Sequence, residues 1–157
     1  MSPGEPAATW ALVTALACAL VGGVLYAFSA FVMRGLAGLP PLGGLAAMQS
    51  INRAALHPAV LSPLLVTAAA SVGVGVAGLR DDEPWAVVGA VLYLVGTVVV
   101  TAAANVPRNE ALARVSELDA DAADRWRHFL RGWVVWNHVR TAAALLAGAA
   151  LVAAVVA

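Results

Sequence analysis

The sequence predicts an all-α protein, an integral membrane four-helix bundle with an amphipathic interfacial helix between spans 1 and 2. Three observations carry that expectation. Of 157 residues, 62% are hydrophobic and 11% charged, and the mean hydropathy is +0.86; soluble domains carry about 25% charged residues. Four windows, 9–33, 59–79, 85–104 and 133–157, are apolar and free of Asp and Glu, and each reaches the roughly 20 residues that cross hydrocarbon. Polar residues capable of chemistry collect at one end of these windows. Four spans and two modest loops leave room for one domain over 1–157.

The first window follows Glu5 with no Lys or Arg before it, and it exceeds a signal-peptide core in length, so it is expected to be a retained span. Cys18 lies within it as a lone thiol, which fits a packing residue and excludes an internal disulfide or Cys-x-x-Cys chemistry. Residues 34–44 are Gly/Pro-rich, and Leu45–His57 then turns helical: Leu45, Met48, Ile51 and Ala55 form an apolar side, with Gln49, Arg53 and His57 as a polar stripe and Asn52 beside it. Pro58 opens the second span, inside which Pro63 predicts a kink or a short first turn. Arg80-Asp81-Asp82-Glu83-Pro84 makes a tight hairpin to the third span.

Asn105-Val106-Pro107-Arg108-Asn109-Glu110 reads as a polar exit from that span, followed by a short helix to Leu118. Asp119, Asp121 and Asp124 suit the first turn of a new helix, where acids complement the dipole, and that helix is expected to run unbroken into the fourth span. Trp126, Phe129, Trp133, Trp136 and Arg140 then share one face. Gly22, Gly23, Gly73, Gly75, Gly89, Gly96 and Gly148 permit close helix packing and, equally, a homo-oligomer.

All nine basic residues are arginines, balanced by nine acids. No basic surplus exists to bind nucleic acid through counterion release. Seven arginines fall in residues 34–57 and 105–132 against Arg80 alone on the other side. The bias places the long loops in the cytoplasm and both termini outside the cell membrane.

The most informative stretch is Trp133-Val134-Val135-Trp136-Asn137-His138-Val139-Arg140-Thr141. An arginine at mid-span costs roughly 2.5–3.5 kcal/mol on insertion scales, so Arg140 is expected to face the bundle interior or a polar cavity. The structural alternative is a later-starting span with a snorkelling arginine and an interfacial tryptophan belt. His57 and His138 enter their spans at similar depth. A facing pair suggests an acid–base couple, or metal or haem ligands with Glu110 as a third; each histidine bonded only to backbone or water is the alternative. His128 sits beside Arg127 on a stretch expected to be solvated. Asn105 and Asn109 either bind substrate or satisfy backbone around Pro107. The tryptophans wall a slot for a flat aromatic ligand, or serve as packing and headgroup anchors. The absence of acids within spans argues against ion-coupled transport.

Tyr26-Ala27-Phe28-Ser29, Met48-Gln49-Ser50-Ile51-Asn52-Arg53, Asn105-Val106-Pro107-Arg108-Asn109 and the Trp133–Thr141 stretch occur in that order. Together they resemble the four-helix integral membrane family that includes the fungal anthrone oxygenases. The resemblance implies oxidation of a hydrophobic, anthrone-like aromatic with molecular oxygen as co-substrate and no flavin or haem. On the matched positions it implies His138 as base, Arg140 and Arg53 as cations stabilising the anion and reduced oxygen, and Asn137, Asn109 and Asn105 as positioners, with Asn52 beside Arg53. Trp133 and Trp136 stack the rings. His57 is added from spacing as a second base. Two other readings stand beside this: a metal or haem redox protein using His57 and His138, and a non-catalytic membrane binding or assembly protein.

Overall fold

In the computed structural model, which describes residues 5–157, the apolar windows become four long helices. They are α1 (Glu5–Ala37), α3 (Pro58–Arg80), α4 (Pro84–Ala113) and α5 (Ala122–Val156), with a shorter α2 (Pro41–Ala55) between α1 and α3. No strand occurs among the described residues. Each long helix has the length and hydropathy to cross a bilayer, so this is a multi-pass membrane protein.

Helix α5 is the hub: α1, α4 and α2 all pack against it. Its start after Asp121, with Asp124 in the first turn, and its unbroken course into the fourth span agree with the sequence pattern. Elsewhere the helices exceed their windows. The helix of the third span does not stop at the polar exit that begins with Asn105, because α4 continues through Pro107 to Ala113. Proline removes one donor from the helical ladder; here the turn before it, Thr101–Asn105, has widened to π geometry and absorbs the break. Two further π segments lie at Phe28–Val32 in α1 and Leu92–Val99 in α4. Helix α3 likewise runs on through Pro63, whose carbonyl accepts from the Thr67 hydroxyl at 2.6 Å.

The α3–α4 hairpin closes tightly. Asp82 takes φ 56°, a left-handed conformation that Asp tolerates better than most residues. The Glu83 amide donates back to the Gly78 carbonyl at 2.8 Å, satisfying an orphan acceptor of the helix end.

Two hydrophobic clusters fill the bundle. One, toward the α3–α4 hairpin, is built mostly from small side chains: Ala11, Ala15, Cys18, Ala86, Ala144 and Ala147, with Tyr93 and Leu151. Its helices touch closely. A Cβ on Gly96 would sit 2.4 Å from the Ala143 Cβ, and one on Gly148 would sit 3.1 Å from the Ala15 carbonyl oxygen. Gly23 is different, for nothing lies within 4 Å of its missing Cβ, and Gly73 meets only Trp10 Nε1 at 3.6 Å. The other cluster, at the loop-rich end, is bulky: Met33, Leu45, Met48, Trp126, Phe129 and Trp133. Helix α2 reaches it with Leu45 and Met48, the apolar side read from the sequence.

Candidate functional site

A run of polar side chains lies where the π segments meet α5. Asn137 is fully buried at 0% exposure. Its Nδ2 donates to the Leu25 carbonyl and to Ser29 Oγ, both at 2.7 Å, fastening α5 to α1 beside the first π turn. Its Oδ1 accepts from Arg140, whose second terminal nitrogen donates to Thr101 Oγ1 at 3.2 Å on α4. Thr101 donates in turn to the Thr97 carbonyl, and the Thr97 hydroxyl donates at 3.4 Å to the carbonyl of Arg140. One chain of hydrogen bonds therefore joins three helices.

Arg140 is the unusual member. It is 7% exposed, which excludes the snorkelling alternative. Its guanidinium carbon lies 5.5 Å from the Trp133 ring centroid, a cation–π arrangement. It has no carboxylate partner among the described residues, and its Nε is buried without an acceptor. Two neutral oxygens and one ring face are modest compensation for a desolvated charge. A group carrying negative charge would complete the shell.

Trp133 holds this cation on one side and α4 on the other. Its indole N–H donates to Asn109 Oδ1 at 2.9 Å, and its carbonyl accepts from Asn105 Nδ2 at 3.4 Å. Both asparagines thus bind α5 rather than repairing their own helix around Pro107. Arg108 serves the helix instead, donating to the Ala104 carbonyl at 2.7 Å. Asn105 Oδ1 is a second buried polar atom without a partner. Phe28 packs on Trp133 at 5.9 Å and Phe129 at 6.3 Å between ring centroids, so the indole stands in an aromatic stack that continues to Trp126. Trp136 leaves the stripe: it is 38% exposed and covered by the Arg108 guanidinium.

The histidines do not join this network. His138 is exposed on the outer side of α5, because one residue past the inward-facing Asn137 is about 100° around the helix. His57 is exposed too, and its Nδ1 accepts from the Ala59 amide at 3.2 Å as the N-cap of α3. Glu110 is exposed rather than inward. No group of three His, Cys, Asp or Glu residues able to hold a metal ion occurs among the described residues, so His57, His138 and Glu110 are not gathered as a three-residue set. Arg53 is exposed and takes no part in the Arg140 network, while Asn52 is half-buried with its Nδ2 unpartnered.

Sequence reasoning passed over Thr97 and Thr101, and it gave Ser29 no role. Two threonines four apart on a span share one face, a signal available without coordinates. Gln49 belonged to the expected polar stripe but turns inward, its Nε2 donating at 2.9 Å to both the Leu112 and Val115 carbonyls. It caps the end of α4.

The fold and site define a class: a four-span helical membrane protein whose core holds a desolvated cation set against one aromatic ring. The particular family follows from sequence comparison. The family model described as anthrone oxygenase matches residues 45–150, more than half of the chain, and the chain belongs to that family. The match includes Gln49, α4 and the Trp133–Thr141 stretch, and it begins after the Tyr26–Ser29 element. No curated protein and no solved structure matches the chain.

Proposed function

We propose that the protein is a membrane-embedded oxygenase that converts a hydrophobic, hydroxylated anthrone-like aromatic to the corresponding quinone with molecular oxygen. The observation that carries this reading is the buried Arg140 guanidinium, without a carboxylate partner among the described residues and set against the Trp133 ring. Such a cation stabilises negative charge as it develops. The substrate's methylene carbon, flanked by two aromatic rings, is acidic. Removing one proton leaves a delocalised anion rich enough to reduce oxygen. Over the whole reaction that carbon loses both hydrogens and gains one oxygen atom as a carbonyl. The second oxygen atom leaves with the two hydrogens as water, so the four electrons lost by carbon are those gained by oxygen.

In this scheme Arg140 stabilises the substrate anion and reduced oxygen, and Asn137 positions Arg140. Trp133 forms the flat apolar wall. No side chain is assigned as the proton acceptor: the resemblance points to His138, but His138 faces outward from α5, away from the face that carries Arg140, and the His57 Nδ1 is engaged as a helix cap. The arginine bias supports placing the loop-rich end in the cytoplasm.

The test uses full-length protein in nanodiscs with a 1,8-dihydroxyanthrone and measures oxygen uptake and quinone absorbance. Arg140→Met should lower turnover by about 100-fold or more, the scale of losing one oxyanion donor. A folded Arg140→Met protein that turns over at the wild-type rate, or a wild type inert toward every anthrone offered, overturns the proposal. His138→Ala should keep full oxygen-dependent turnover, as its outward position requires; a loss of about 100-fold or more would return the base role to it.

A further inference from the structure

Between the end of α4 and the first turns of α5 lies an open cleft of about 580 Å³, within the range of small-molecule sites. Its floor is apolar: Pro107, Ala111, Leu112, Val115 and the ring of Phe129. Its rim is charged, carrying Arg108, Asp124, Arg125 and His128. Two of these charges are already matched, since Asp124 pairs with Arg127 and Arg125 with Asp121. Arg108 has no carboxylate partner among the described residues; its contacts are the neutral Ala104 carbonyl and the face of Trp136. His128 makes no hydrogen bond among the described residues, which leaves an imidazole able to donate or accept at the mouth. Expected from sequence to be merely solvated, it lines a cavity instead.

The floor and rim specify an occupant. An apolar floor ending in the Phe129 ring suits a flat ring system, and one unmatched guanidinium with an imidazole on the same rim suits a phenolate or similar anionic substituent. The cleft also abuts the buried site. Phe129 stacks toward Trp133, and Trp133 lies under Arg140. Asn109, the neighbour of Arg108, holds the Trp133 indole.

We propose that this cleft is the uptake site for the oxygenase's substrate, binding a flat polyhydroxylated aromatic as its phenolate over Phe129, with Arg108 and His128 gripping the oxygens. Only the identity of the ligand rests on the functional reading above; binding can be measured without turnover. Arg140 lies about 16 Å further along α5 than Phe129, at 1.5 Å per residue. The cleft is therefore a station distinct from the reacting centre.

The probe is 1,8-dihydroxyanthraquinone, titrated into full-length protein in nanodiscs and followed by quenching of tryptophan fluorescence. Two variants test the cleft: Ala111→Trp, which fills it from an exposed position, and Arg108→Gln, which removes the unmatched charge. Each should weaken binding about tenfold or more, and in turnover assays each should raise KM more than it lowers kcat. His128→Ala should weaken binding several-fold. Wild-type affinity in a folded Ala111→Trp and in Arg108→Gln overturns the proposal, as does a wild type that turns over anthrones yet shows no saturable probe binding. Binding lost in both variants of a protein that never consumes oxygen supports the cleft and removes the oxygenase reading.

Discussion

The two ends of the bundle are packed by opposite means. Toward the α3–α4 hairpin, alanines and glycines let helices touch through methyl groups and backbone. Toward the loops, Trp126, Phe129, Trp133, Met33 and Met48 hold the helices apart. Between them sits the hydrogen-bonded layer of Asn137, Arg140, Ser29, Thr97 and Thr101. Small-residue packing brings backbones together and leaves at its edge only an apolar groove between α1 and α5, lined by Leu12, Leu16, Leu145 and Val152. Bulky packing leaves at its edge the open cleft with a charged rim, and the desolvated cation lies on the boundary itself, against Trp133.

The contrast can be broken most severely from the bulky side. Trp133→Ala removes the ring under Arg140, the partner of Asn109 and the centre of the aromatic stack. It should cost about 3–5 kcal/mol, the usual range for deleting a buried tryptophan. Denaturant titration of the protein in mixed micelles would measure it. At the small-residue end, Gly96→Ala forces a methyl into Ala143 across the α4–α5 contact. Overpacking of this kind costs about 1–3 kcal/mol. Gly23→Ala, which meets open space, should be neutral or gain up to about 1 kcal/mol from helix propensity. Equal effects at the two glycines would dissolve the distinction. Smallest of the losses is Gln49→Leu, which uncaps the Leu112 and Val115 carbonyls. A loss of about 1 kcal/mol is expected, with faster hydrogen exchange confined to the last turn of α4.

Helix identity was legible because hydropathy and length decide it, and the Trp126–Trp133 face because its period is that of a helix. Arg140 could be turned inward from cost alone. The rest depended on phase and partners. Trp136 and His138 lie next to inward positions, and their exposure follows from a rotation of α5 that only its contacts with α1 and α4 fix. The course of α4 past Asn105 was hidden by Pro107, since no local signal announces a π turn that compensates for it. His57 looked like half of a pair, but its position immediately before Pro58 makes it a helix cap, and local capping overrode the symmetry. The cleft escaped notice because its walls come from segments separated in sequence.

The widened turns in α4 also set the register of everything beyond them. Each takes up an extra residue relative to a regular helix, so Asn105, Arg108 and Asn109 keep the phase in which they meet α5. Losing a single residue from 92–99 would tighten the wide turn to α geometry and keep all three on target, whereas adding a residue the turn cannot absorb would swing the distal third of the helix by about 100° while leaving the apolar length sufficient to span. Such a protein would still insert and bundle, yet its two halves would no longer agree on which way is inward. The chain's tolerance to gaps is therefore set by angular phase as well as by hydrophobic thickness.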